Sequence, residues 1–368
     1  MVRQPSKRLT AGVAAGLLAA TGVLLGPSAS AHEHDTAFTQ TNLVSDIPGM
    51  AALTDPALVN PWGLAHGPAT PVWASDNGAD ATTLYATPAG GGVAKVSPGG
   101  HTTIAIPGGA PTGQAFHDPA DAGDFVVTEN GKSGPAFFIF ASENGGISAW
   151  NPQVDTGSAI AVGQGDDAVY KGLTLWQNPL GSFLLAADFH NARIDVFDSQ
   201  FRRLTLPPTF FQDPNLPAGY APFNVAAIGD AVYVSYAKQD ADKHDEVDGP
   251  GLGFVDVYTD FGQHRTRFAS HGPLNAPWAI TVAPSSFGRF AGDILVGDFG
   301  DGRINAFDRR GHFEGPLRGA DGKPLAIDGL WGLLPGTAAN GGTDSIWFAA
   351  GLNHEADGLL GLIGPAKG

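Results

Sequence analysis

The sequence has no cysteine, only two methionines and few charges: 15% of residues are charged, and 20 bases stand against 36 acids. Without cysteine there is no disulfide framework, no thiol nucleophile and no thiolate metal site, so the fold must rest on its core and hydrogen bonds. A formal net charge of −16 leaves no basic face for phosphates, which excludes a nucleic-acid partner and disfavours anionic membranes. After Leu25 no apolar run approaches the ~20 residues of a spanning helix, so no membrane insertion is expected. Familiar catalytic signatures are missing too. There is no G-x-S-x-G elbow, and the 11 histidines form no H-E-x-x-H pair. Asn130-Gly131-Lys132-Ser133 imitates the end of a phosphate loop, but Val126 stands where its first glycine belongs, so it reads as a hairpin turn.

Turn residues are plentiful. The 52 glycines and 28 prolines are 80 of 368 residues, beside 43% apolar and 10% aromatic content. That combination is globular yet leaves little room for long helices, and it points to an all-β chain of many short strands. At the N-terminus, Arg3, Lys7 and Arg8 precede an uncharged run from Leu9 to Leu25, followed by Ala29-Ser30-Ala31. This is the pattern of a secretory signal over residues 1–31, with cleavage expected after Ala31. The expected location is therefore secreted, or extracellular. Losing three bases takes the charge from −16 to −19. Residues 32–37 read as a flexible stub and 38–368 as one domain.

The mature chain repeats itself. A short aromatic- or glycine-centred triplet opens a strand at Trp62-Gly63-Leu64, Thr112-Gly113-Gln114, Lys171-Gly172-Leu173, Phe223-Asn224-Val225, Trp278-Ala279-Ile280 and Trp331-Gly332-Leu333, at intervals of 50, 59, 52, 55 and 53 residues. Each is followed by an apolar strand ending near a polar turn, then by an alternating strand. Six such units predict a six-bladed β-propeller, because radial repetition buries both faces of each small sheet. A pair of β-sandwiches is the alternative, but it gives no reason for the period. The last unit lacks a fourth strand, and the alternating segment Phe38 to Ser45 is expected to supply it.

Two stretches, Leu184 to Asp198 (LLAADFHNARIDVFD) and Leu295 to Asp308 (LVGDFGDGRINAFD), resemble the core of the NHL repeat. More widely, Thr41-Asn-Leu-Val-Ser-Asp, Asn60-Pro-Trp-Gly, Ser75-Asp-Asn-Gly, Tyr236-Ala-Lys-Gln-Asp, Gly251-Leu-Gly-Phe-Val-Asp-Val, Leu274-Asn-Ala-Pro-Trp and Asp328-Gly-Leu-Trp resemble an uncharacterised family of exported bacterial proteins with a propeller-like repeat. The resemblance implies fold and export. It carries over no catalytic residue.

In a propeller, the loop leading into each inner strand and the turn between the second and third strands open on one face, around the channel mouth. That face collects the polar residues Asn60, Asn77, Lys171, Asn224, Lys238 and Asn275 as candidate ligand contacts. Trp62, Trp278 and Trp331 either stack on a flat ligand or fill the inter-blade core. Asp76, Asp188 and Asp298 close second strands, where carboxylates could hold a Ca or Mg ion or cap their own turns. By fold analogy alone, six-bladed lactonases hold a catalytic divalent ion in this way. Glu143 and Glu355 are then the candidate general bases. The long segment from Lys238 to Gly253 carries five acids and reads as a lid or a solvated acidic loop. Cleavage after Ala31 would place His34 third after a free amine, a nitrogen set suited to Cu(II) or Ni(II). Two functions remain open: an exported module binding an unknown small ligand or surface protein, and a divalent-metal-dependent hydrolase of lactonase or esterase type.

Overall fold

All six repeated triplets lie on strands that line one central axis. The computed structural model describes residues 36–87 and 92–366. The innermost strands are Pro61–Ala65, Pro111–Phe116, Tyr170–Asn178, Tyr220–Ile228, Pro277–Val282 and Leu330–Pro335. Each is hydrogen-bonded to a second, antiparallel strand, and that to a third, giving six blades in chain order. Neighbouring inner strands touch all the way round, from blade one to six and back to one. The chain is an all-β, six-bladed propeller.

The expected second and third strands fall inside observed ones, from Val72–Asp76 and Ala81–Ala86 in blade one to Ile346–Gly351 and Asp357–Pro365 in blade six. Blade six takes its outer strand from the N-terminus: Phe38–Ser45 runs antiparallel to Asp357–Pro365, from Phe38 opposite Pro365 to Ser45 opposite Leu359. The ring is therefore closed by hydrogen bonds between distant parts of the chain, as a chain without cysteine requires. The segment at Asn130-Gly131 is a hairpin between Val126–Glu129 and Lys132–Pro135, with both turn residues at positive φ.

The hydrophobic core is divided among the seams between blades. Trp73 of blade one stacks on Phe138 of blade two at 4.1 Å, and Val44, Val72, Tyr85 and Trp347 fill the seam between blades six and one. At the axis the strands approach so closely that side chains are excluded. A Cβ on Gly113 would lie 2.2 Å from the Leu173 nitrogen, and one on Gly332 2.4 Å from the Trp62 carbonyl oxygen. In blades four and five the same triplet position holds Asn224 and Ala279, so the exclusion applies to the glycines of blades one, two, three and six. Below this constriction a cavity of about 350 Å³, lined by all six inner strands, runs toward the opposite face. No helix among the described residues is long and apolar enough to cross a membrane. The segment 1–31 expected to be a secretory signal, and His34, lie outside the described residues.

Candidate functional site

The mouth of the channel is built on an aromatic floor. Trp62 and Trp331, from blades one and six, stack with centroids 3.6 Å apart and 17° between planes. Phe299 covers the other face of Trp331 at 4.2 Å, and Trp278 meets both indoles edge-on. Trp62, Trp278 and Trp331 are each 4% exposed or less, so they are core rather than an open stacking surface. The reason is area: these three strands begin where the blades converge, and a large ring buries much surface there.

Above the floor, one hydrogen-bonded chain crosses five blades. Trp331 Nε1 donates to Asn60 Oδ1 at 3.2 Å, and Asn60 Nδ2 donates to Glu355 Oε1 at 3.1 Å and to Asn77 Oδ1 at 3.4 Å. Asn77 Nδ2 donates to Glu143 Oε2 at 3.0 Å. Glu143 Oε1 accepts from Lys171 Nζ at 2.5 Å, and Lys171 Nζ reaches Asp245 Oδ1 at 3.1 Å. The same Asp245 oxygen lies 2.8 Å from His244 Nδ1. These contacts confirm that the two sets of loops share a face. Lys171 is 1% exposed, with its ammonium 5.1 Å from the Trp62 ring centroid and 6.0 Å from that of Phe189. Its carbonyl accepts the Trp278 indole N–H at 3.0 Å.

Glu355 is aimed by strain. Asn353, His354 and Glu355 all adopt left-handed backbone, with φ of 53°, 56° and 67°. Each such residue costs about 1–2 kcal/mol, and a run of three persists only where the surroundings hold it, a common mark of functional sites. Here the hydrogen bond from Asn60 supplies part of that hold.

Charge at the mouth is uneven. Burial alone lowers the Lys171 pKa, but Glu143, Glu246 and Asp245 overcome it and hold the ammonium protonated. Burial raises Glu355, with Asn60 and Lys171 partly offsetting it and Glu143 adding to it. Glu246, also on the acidic segment, is pushed up to about 7 by desolvation despite the attraction of Lys171. Asp245 goes down: Lys171 and His244 outweigh its own burial.

Asn60, Asn77, Glu143, Lys171 and Glu355 thus come together, but other expected site residues do not join them. Asp76, Asp188 and Asp298 were candidate metal ligands; the structure turns each into its own blade. Asp188 accepts from the Asn191 backbone and side chain and pairs with Arg193 at 3.2 Å. Asp298 accepts from the Asn275 backbone at 3.0 Å and from Asn305 Nδ2 at 2.6 Å. Asp76 is fully buried, with neither oxygen at hydrogen-bond geometry to a partner. Burial raises it far above the usual carboxyl range, and nearby Thr83 only weakly opposes this. Asp188 and Asp298 are held inward by hydrogen bonds that secure their turns, whereas Asp76 is buried at its strand end without such bonds. Among the described residues, the groups that do come within reach of one ion are different ones, with Glu143, His244 and Asp245 in one cluster and Asp213, Asp256 and His264 in another.

Asn224 and Asn275 are also spent on structure. Asn224 Nδ2 donates to the Trp278 carbonyl at 2.9 Å, and Asn275 Oδ1 accepts from the Gly249 N–H at 2.6 Å. Lys238 is exposed on a small ladder in which Lys238–Gln239 pairs with Glu246–Val247. That ladder folds the acidic segment back on itself and lays Asp245 over Lys171. Sequence reasoning had marked the segment as a lid or solvated loop, but nothing in five neighbouring acids told which one reaches the axis. Phe189 and Phe299 were missed as floor residues, although each directly follows a turn aspartate of an NHL-like stretch.

No protein-family model matches the chain. Two uncharacterized proteins of Acanthamoeba polyphaga mimivirus are each 35% identical to it, one over 328 residues (87% of this chain and 78% of the relative) and one over 332 (87% and 84%). A third from the same virus is 31% identical over 314 residues, 83% of this chain and 56% of the relative. These relatives are viral, so such chains are not confined to bacteria. Among solved structures, virginiamycin B lyase from Staphylococcus aureus aligns with a TM-score of 0.49 at 12% identity, over 89% of this chain and 100% of the other. A putative gluconolactonase aligns with a TM-score of 0.42 at 17% identity, over 68% and 77%.

Proposed function

The chain belongs to one family with those mimivirus proteins, and from that premise we propose that it is an exported propeller acting outside the cytoplasm, a binding module whose channel mouth takes a small ligand or a surface protein. The observation that carries this reading is the position of Lys171. The mouth carboxylates gather around an internal ammonium, with Glu143 at 2.5 Å and Asp245 at 3.1 Å, and that ammonium neutralises charge where a channel ion would have done so. Export rests on the basic residues, apolar run and Ala29-Ser30-Ala31 of the N-terminal segment.

The second reading, a hydrolase with Ca or Mg in the channel, has the cluster of Glu143, His244 and Asp245 in its favour. The residues do not fit it. An ion shared by Glu143 and Asp245 would be pressed against the Lys171 ammonium, and like charges at that range repel. The test is a melt of the mature protein with EDTA and with added Ca²⁺, beside an assay for hydrolysis of γ-butyrolactone. The expected result is a melting temperature indifferent to both and no turnover. Ca²⁺-dependent turnover lost in Glu143→Gln would overturn the binding-module reading.

A further inference from the structure

We propose that Asp245 is a built-in stand-in for the ligand, and that the mouth takes the carboxylate of a small organic acid on Lys171 in its place. This inference rests on the binding-module reading and names the ligand class for the same site. The two partners of Lys171 differ in kind. Glu143 is held on its other oxygen by Asn77 and its side chain is only 14% exposed. Asp245 comes from a loop, and its side chain is 63% exposed.

The oxygen of Asp245 that touches Lys171 also touches His244 Nδ1 at 2.8 Å. Asp245 and His244 are adjacent and exposed, so the pair can move off the ammonium together with their hydrogen bond kept. Lys171 has no such freedom. Its ammonium is enclosed by Glu143, the Trp62 ring and the Phe189 ring, and an enclosed ammonium left with one partner favours a new anion. The Trp62 ring that faces this ammonium is itself buried, and its indole N–H has no acceptor among the described residues. Each is a donor, so a carboxylate oxygen suits either of them. An amine could satisfy neither, because both are donors.

Burial raises both Glu246 and Glu355 toward protonation. They therefore oppose an incoming acid less than two fully ionised carboxylates.

The test is a calorimetric titration of the mature protein with three probes of one shape and different charge: benzoate, benzyl alcohol and benzylamine. Wild type is compared with Asp245→Ala and Lys171→Met. The expected outcome is that benzoate binds, that Asp245→Ala tightens it at least tenfold by removing the competitor, and that Lys171→Met abolishes it. Should Lys171→Met leave Glu143 buried and unpaired and fail to fold, the double variant Lys171→Met/Glu143→Gln takes its place. Benzoate affinity unchanged or weakened in Asp245→Ala overturns the inference, as does an absence of binding by any probe. Preference for benzylamine overturns the acid class yet leaves a binding module standing. Ca²⁺-dependent hydrolysis removes the module reading itself, so the two failures are distinguishable.

Discussion

Trp62 lies face to face with Trp331, 3.6 Å between centroids, so the first and last blades meet through two stacked indoles at the axis as well as through the outer strand of blade six. Trp331 is the shared layer, with Trp62 on one face and Phe299 on the other. Trp331→Ala is expected to cost about 3–5 kcal/mol, the range for removing a buried aromatic side chain. Urea unfolding followed by tryptophan fluorescence measures it. A loss below 1 kcal/mol would show that the floor relaxes around the gap.

The inner ring leaves no space at its glycines. A methyl group on Gly332 meets the Trp62 carbonyl oxygen at 2.4 Å, a backbone atom that cannot swing aside. Gly332→Ala should lower stability by at least the ~1–3 kcal/mol of an overpacked core, whereas Gly131→Ala, with nothing within 4 Å, should show only the smaller backbone cost of its positive φ. Equal losses for the two would contradict the close approach.

Asp76 makes stability depend on pH in a defined direction. Its folded pKa is raised well above the ordinary carboxyl value of 3.8 by burial, so the folded state holds the proton more tightly than the unfolded chain does. This contribution is complete below the ordinary carboxyl range and is lost as pH rises through the folded pKa. Asp76→Asn should therefore raise the melting temperature more at pH 7 than at pH 4. A larger gain at pH 4 would reverse the sign and refute the assignment.

These expectations draw unequally on sequence and on structure. The blades were legible because the triplet at each inner strand repeats at 50 to 59 residues and because Phe38 to Ser45 was the one alternating segment without a unit of its own. The mouth was legible in half. Asn60, Asn77, Glu143, Lys171 and Glu355 could be placed from loop position alone. Asp76, Asp188 and Asp298 could not be told from them, since a turn aspartate has the same spacing whether it faces the axis or the seam. Asp245 depended on a two-residue ladder between Lys238–Gln239 and Glu246–Val247, and such a short pairing leaves no periodic mark.

Glu246 gives a second pH signature, this time at the mouth. Its carboxyl rises from 4.5 in the open chain to about 7 in the folded one. The sign is the same as for Asp76: its contribution is complete below about 4.5 and is lost as pH rises through about 7. Between pH 5 and 8, wild type should lose melting temperature relative to Glu246→Gln. Parallel curves for the two proteins would rule this out.

Export can be read directly. Protein recovered from the medium of an expressing culture should begin at His32 by N-terminal sequencing, and replacing the Leu9–Leu25 run with polar residues should keep the product inside the cell. Recovered protein that still carries Arg3 would contradict cleavage after Ala31.

The outer strand of blade six has a consequence for synthesis. Ser45 leaves the ribosome long before Leu359, its partner in the ladder. Five blades can assemble while the chain grows, but the ring stays open until the sixth arrives, and contacts of such long sequence separation form slowly. A product truncated before blade six keeps Phe38–Ser45 unpaired, with the Val44 side chain that belongs in the last seam exposed. The closure therefore makes burial of Phe38–Ser45 wait on the sixth blade, because the strand that pairs along its length is Asp357–Pro365.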